Sequence, residues 1–258
     1  MSDLLKLEKR GHCAIVTMNN PPANTWTHES LSYLRDLVLE LNEDKEIYSL
    51  IISSDSEKFF SAGADLKLFA DGDKQVAKDM SDIFGQAFET LSAFRGVSIA
   101  AITGWAMGGG LEVALACDLR ICEEHAVLAL PEASVGLLPC AGGTQNLAWL
   151  VGEGWAKRMI LCGQRVDANT AERIGLVEEV VPTGTVKDKA LELASMVEKQ
   201  SPSAVTSCKS LIQRGRTGDM ASALPDERQA FVDLFDTEDQ KEGVSAFLEK
   251  RRPQWLNR

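Results

Sequence analysis

No run of this 258-residue chain is apolar over the roughly 20 residues that a bilayer-crossing helix needs, so no membrane-spanning role is expected. The first ten residues are charged throughout and lack the apolar segment of an export signal, which points to a cytoplasmic protein. A basic field is missing too. Only 27 Lys and Arg stand against 38 Asp and Glu, and the net charge of −11 has the wrong sign for nucleic acid or an anionic membrane surface. The three histidines, His12, His28 and His125, form no H-E-x-x-H pair, and no metal site is expected. Six cysteines, at 13, 117, 122, 140, 162 and 208, show no C-x-x-C spacing and read as reduced, mostly buried thiols. Neither a G-x-S-x-G elbow nor a phosphate-loop lysine motif occurs, which disfavours the common hydrolase and nucleotide-hydrolysing chemistries. The one concentration of positive charge, Lys250-Arg251-Arg252, reads on charge alone as a solvated tail.

The composition itself is that of an ordinary globular protein, 45% hydrophobic and 25% charged, long enough for one large domain or a domain with an appendage. Short apolar, β-branched runs at 13–18, 49–53 and 98–103 predict buried strands, with shorter candidates at 119–122, 127–130 and 177–181. Between the first two runs, Leu31, Leu34, Leu37, Val38 and Leu41 fall at helical spacing behind Thr27, a suitable N-cap. Apolar residues from Val76 to Leu91 predict a long helix over about 75–94. Alternating strands and helices indicate an α/β domain with much parallel pairing. After Val181 the pattern turns helical, over 185–199, 203–215, 222–236 and 239–251, with Ser201-Pro202-Ser203 as a break and cap. Such an end cannot bury its apolar faces alone and is expected to pack on the core, on another subunit, or on both.

Two glutamates carry the most information. Glu112 follows Gly108-Gly109-Gly110 within an apolar run, and Glu132 follows Val127-Leu-Ala-Leu-Pro131. A carboxylate among apolar residues is costly to desolvate unless it is paired, hydrogen-bonded or protonated. Either one alone is as readily structural as chemical, but two of them, one beside three glycines, point to an acid–base site. The loop Ala62-Gly63-Ala64 lets backbone come close to a ligand, with the amides of Ala62 and Ala64 as candidate donors. Gly108–Gly110 precedes a helical run at 111–117, where free amides and the helix dipole favour negative charge. A third glycine-rich piece, 139–145, is expected to shape a loop near Glu132.

Four segments, Phe60-Ser-Ala-Gly-Ala-Asp65, Gly104 to Glu112, Asp118 to Arg120, and Pro131-Glu132 through Gly142-Gly-Thr-Gln145, stand in the order and spacing of one family. The chain resembles the enoyl-CoA hydratase/isomerase (crotonase) superfamily over nearly its whole length, from Met18 to Trp255. The resemblance implies a crotonase-like spiral of stacked ββα units over 1–195, followed by a helical C-terminal trimerisation region over 196–258. It implies an acyl-CoA thioester substrate, with coenzyme A part of that substrate and no separate cofactor. The enolate would be held by the amides of Ala64 and Gly109. Coenzyme A would be gripped through Ala62, Ala64, Asp65 and Leu66, with Lys67 near the phosphates. Phe247 and Lys250 match positions that reach the CoA of an adjacent subunit in a homotrimer or a hexamer of two trimers. Members with both glutamates resemble hydratases, in which Glu112 would activate water and Glu132 would protonate the α-carbon. Alternatives on the same scaffold are double-bond isomerisation, decarboxylation and thioester hydrolysis. A non-catalytic acyl-CoA binder is disfavoured by the two glutamates and both loops. The acyl pocket is expected to take its shape from the segment around 71–84.

The chain departs from the family at Cys140, where typical hydratases have a glycine whose amide helps bind the catalytic water. An amide at Cys140 can still donate, but the added β-carbon and sulfur narrow or shift the loop. Cys140→Gly is therefore expected to retain or improve hydration of crotonyl-CoA. Collapse of turnover in a folded variant would overturn that expectation.

Overall fold

The computed structural model describes residues 3–216 and 218–258. Its elements begin with β1 (Leu5–Arg10), β2 (Cys13–Met18), α1 (His28–Glu43), β3 (Ser49–Ser54), β4 (Phe59–Ser61), α2 (Lys74–Ser92), β5 (Val97–Ile102), β6 (Trp105–Met107) and α3 (Gly109–Ala116). They continue with β7 (Leu119–Glu123), β8 (Val127–Ala129), α4 (Gly143–Leu161, broken at Gly152), β9 (Val166–Asp167), α5 (Ala168–Arg173) and β10 (Glu179–Val181). Four helices close the chain: α6 (Val186–Val197), α7 (Pro202–Arg214), α8 (Met220–Asp233) and α9 (Glu238–Leu248).

The strands form two sheets. The larger runs β1-β2-β3-β5-β7-β10 and the smaller β4-β6-β8-β9. Pairing is parallel except at β1–β2 and β8–β9. Three successive turns of chain repeat one pattern: β3-β4-α2, β5-β6-α3 and β7-β8-α4 each give one strand to the large sheet, one to the small sheet, and then a helix. This is the spiral of ββα units that the motifs implied.

The apolar runs became strands because both of their faces are covered. Along β2, Ala14, Val16 and Met18 join Leu31, Leu34 and Leu41 of α1 in the main core. The alternate residues Cys13 and Ile15 meet Ile51, Ile99 and Ile121 on the other face, under Val186, Ala190 and Ala194 of α6. Thr27 caps α1 as expected, in a reciprocal box with Ser30. Ser201 caps α7 ahead of Pro202.

The last helices are tied to this core by polar side chains. Lys209 of α7 donates to Asp118 Oδ2 (2.7 Å) and to the carbonyls of Phe94 (2.5 Å) and Gly96 (3.0 Å). Asp118 also accepts from the amide and hydroxyl of Ser98, at 2.8 and 2.9 Å. Asp239, 1% exposed, accepts from Ser201 and Ser203 and from the amides of Leu256 and Asn257, which pins the last residues across α9. Phe231, Phe235, Phe247 and Leu248 on this region stay exposed. Lys250, Arg251 and Arg252 are exposed as expected of a solvated tail, and Arg251 is bonded to Glu242 and Glu249.

Several expectations need correction. Only Cys13, Cys117 and Cys122 are buried, whereas Cys140, Cys162 and Cys208 are exposed, so the thiols are not mostly buried. The reason is position: the buried three lie in or between core strands and α3, and the others lie on a loop and on helical surfaces. Gly109 and Gly110 do not precede α3 but form its first turn, because the chain already turns at Gly108. The strand β1 and the helix α4 were not foreseen. Among the described residues, no helix is long and apolar enough to cross a membrane.

The Asp118–Lys209 pair is largely buried, with 22% and 11% of the two side chains exposed. Asp118→Ala leaves the ammonium only the Phe94 and Gly96 carbonyls, removes the acceptor of both Ser98 donors, and is expected to cost about 3 kcal/mol in urea unfolding. Lys209→Met leaves Asp118 two partners and should cost less.

Candidate active site

Both glutamates face one cavity of about 780 Å³, which also touches Ala62, Gly63, Ala64, Gly108, Gly109 and Cys140. The small sheet makes this meeting possible, because three of its parallel strands end side by side. β4 runs out into Ala62-Gly63-Ala64, β6 into Gly108-Gly109, and β8 into Pro131-Glu132. The amide of Gly108 donates to the Ala129 carbonyl at 3.0 Å, stitching the second of these ends to the third.

Close backbone contact holds the first two ends together. A β-carbon on Gly110 would lie 2.1 Å from the Ser61 carbonyl oxygen. One on Gly63 would lie 2.7 Å from the Met107 oxygen and 3.1 Å from the Gly109 nitrogen. Only glycine permits these approaches. Gly109 is the first residue of α3, so its amide has no acceptor within the helix. The Ala64 segment is fixed by Trp26, whose amide donates to the Gly63 carbonyl at 2.8 Å. The amide of Ala62, expected as a donor to ligand, is already engaged by the Ala23 carbonyl at 2.9 Å.

The two carboxyl groups have unlike surroundings. Glu112, in the first turn of α3, is 2% exposed. Its Oε1 accepts from the amides of Ala141 (2.8 Å) and Gly143 (2.9 Å), and the Cys140 amide adds to them. Burial pushes this carboxyl above its ordinary range, while the three amides pull it back toward the ionised form. Glu132 is half-buried, and its Oε2 is shut from solvent without a hydrogen-bond partner. Burial, reinforced by the charge of Glu112, pushes Glu132 up to about 7. The result is one carboxyl solvated by backbone amides and one whose buried oxygen has no donor and whose proton affinity is raised.

Cys140 sits in the loop between them. Burial and then Glu112 and Glu132 push its thiol up to about 11, although part of the residue reaches solvent. It stays a thiol at neutral pH, a poor nucleophile.

The remaining expected residues are spread more widely. Leu66 lines the cavity. The Asp65 carboxylate caps the Lys67 amide at 3.1 Å and so shapes the turn after the first loop. Phe247 is 82% exposed, and neither it nor Lys250 lines the cavity of its own chain. The 71–84 segment contributes Ala77, Lys78, Met80, Ser81 and Phe84. Sequence reasoning missed the wall formed by Val135, Leu137 and Leu138, and missed Arg165 at the start of β9. Val135, Leu137 and Leu138 lie inside the segment from Pro131 to Gln145 but carry no chemistry that marks them, and Arg165 lies outside all four segments. Among the described residues, no three His, Cys, Asp or Glu side chains converge as metal ligands.

The family model described as Enoyl-CoA hydratase/isomerase matches residues 8–258. The short-chain-enoyl-CoA hydratase of Clostridium acetobutylicum is 38% identical over 247 residues, covering 95% of either chain. The solved structure of Pseudomonas aeruginosa DspI is 61% identical, with a TM-score of 0.96 over 98% of this chain and 97% of that one. A solved enoyl-CoA hydratase from Bacillus anthracis is 35% identical, also at a TM-score of 0.96, over 99% of this chain and all of its own (100%).

Glu132 rises from an ordinary 4.5 to about 7 on folding. Between those values the folded chain holds a proton that the unfolded chain has released, so this group's contribution to stability is lost as pH rises. Glu132→Gln is thus expected to melt higher than wild type at pH 8, with the gap closing toward pH 5. Thermal melts across that range check it, and an equal gap at both ends would sink the assignment.

Proposed function

The chain belongs to the enoyl-CoA hydratase/isomerase family, and from that premise we propose that it is an enoyl-CoA hydratase, adding water reversibly across the α,β double bond of a 2-enoyl-CoA. The observation that carries this reading is the unlike pair in one cavity: Glu112 solvated by loop amides, and Glu132 raised to about 7 with an unpartnered buried oxygen. Hydration needs one group to take a proton from water and another to give one to carbon, and two carboxyls in one cavity with unlike surroundings, one held by loop amides and one with an unpartnered buried oxygen, suit that need.

In the proposed reaction, Glu112 removes a proton as water attacks the β-carbon. The electron pair of the double bond moves onto the thioester oxygen, giving an enolate between the amides of Ala64 and Gly109. The proton of Glu132 then goes to the α-carbon, and 3-hydroxyacyl-CoA leaves. The two amides act where charge develops, and loss of one such donor elsewhere costs about 3 kcal/mol. Their spacing is kept by the glycine contacts between the two loops. The two carboxyls titrate as a coupled pair. Double-bond isomerisation needs only one carboxyl, and the amide-held Glu112 beside Glu132 favours hydration over it.

Coenzyme A is part of the substrate and the reaction draws on no other cofactor. Its proposed grip runs through Ala62, Ala64, Asp65, Leu66 and Lys67 in one subunit, with Phe247 and Lys250 supplied by the next. Assembly as a trimer or a hexamer of two trimers is part of the proposal. The exposed Phe231, Phe235 and Phe247 on the last helices support it, since large apolar side chains left in solvent are suited to a contact surface.

The test is loss of the conjugated enoyl-thioester absorbance of crotonyl-CoA. Wild type is expected to consume it and yield 3-hydroxybutyryl-CoA, while Glu112→Gln and Glu132→Gln each fall by at least 100-fold, on the order of a general acid–base contribution. Undiminished turnover in either variant would overturn the assignment.

A further inference from the structure

Arg165 is a charged cavity-lining group to which the proposed reaction gives no task. Among the described residues the only other cation lining the cavity, Lys78, is paired with Asp82. Among the described residues the Arg165 guanidinium meets no carboxylate, although acidic residues outnumber basic ones 38 to 27. It rests over the Trp105 ring, 5.3 Å from the centroid, an arrangement that orients a guanidinium while leaving its N–H groups free.

Its place follows from the order of the small sheet. Across the mouth of that sheet come the ends of β4, β6 and β8, and then the start of β9. They deliver, in turn, the Ala62–Ala64 loop, the Gly109 amide, Glu132 and Arg165. The antiparallel register pairs Leu128 with Val166, which sets Arg165 opposite Ala129, at the same end of β8 as Glu132. Neighbouring strands lie about 5 Å apart. An acyl thioester with its oxygen at the β4 and β6 ends and its reacting carbons at the β6 and β8 ends therefore points its tail toward β9. The coenzyme side lies at the opposite edge.

We infer that Arg165 is a specificity residue, and that the preferred substrate is an enoyl thioester whose acyl chain ends in a carboxylate. This rests on the proposed placement of the thioester at Ala64 and Gly109. A guanidinium takes a carboxylate through two parallel hydrogen bonds, and its place over the Trp105 ring holds the fork ready for that. The aliphatic wall of Met80, Leu137 and Leu138 would pack the intervening methylenes. Because Arg165 is exposed, the attraction is screened, and the preference should shrink as salt is raised.

The test compares two enoyl-CoA thioesters of equal chain length, one ending in methyl and one in carboxylate, with wild type, Arg165→Met and Arg165→Lys. Wild type is expected to favour the carboxylate substrate by about tenfold in kcat/KM. Arg165→Met should bring that ratio to one or below, and Arg165→Lys should fall between. The saturated analogues of both thioesters, titrated by calorimetry, report the same ratio as Kd whether or not the protein turns over. Failure of hydration is thus separable from failure of this inference. A ratio of one in wild type, or a ratio unchanged in Arg165→Met, would overturn it. An equal loss on both thioesters would assign Arg165 to a coenzyme phosphate instead, and would equally overturn it.

Discussion

A carboxylate removed from water keeps its charge only if something else solvates it, and for Glu112 that something is the backbone of residues 140–143. Two amide hydrogen bonds to one oxygen, and a third amide nearby, stand in for the lost hydration. Much of the surrounding structure serves this arrangement. The first turn of α3 must sit hard against the end of β4, which is why Gly110 faces the Ser61 carbonyl. The 139–143 loop must lie over α3, and it is held there by the helix that follows it. A change in any of these segments alters where the charge sits.

The second carboxyl shows the opposite solution to the same problem. One oxygen of Glu132 is buried with no donor, and burial raises the carboxyl to about 7, which favours its neutral form. Two glutamates of identical chemistry thus acquire different surroundings from backbone placement alone. The fold supports many reactions, because the spiral delivers three strand ends to one cavity whatever side chains they carry. What distinguishes this chain lies in the walls: Cys140 between the carboxyls, and Arg165 one strand beyond them.

The parts of the fold that were legible in the sequence are those in which pattern and burial agree. β2 and β3 stand out because every residue is buried, and α1 and α2 because one face is. β4 and β6, three residues each, are too short for any period to register, yet they aim the two loops. β1 reads as charged because it is an edge strand with one face in solvent. α4 hides behind its glycines at 142, 143, 152 and 154, two of which begin it and one of which breaks it. At the site, the glutamates and glycine loops announced themselves by chemistry. The engaged amide of Ala62, the exposed thiols and the unpaired Arg165 did not, because each depends on what another strand brings alongside.

The order of the large sheet carries a consequence for how the chain acquires its shape. From β1 to β10 the strands lie side by side in the sequence in which they are synthesised, with the alternate strands β4, β6, β8 and β9 set aside in the second sheet. Each new turn can therefore add to an edge already formed, as in a solenoid, without threading between earlier strands. A nascent chain leaving the ribosome can lay down these turns in register from its N-terminal end. The two glutamates come together with the amides that hold Glu112 only when the third turn closes, and Arg165 joins the cavity wall after it.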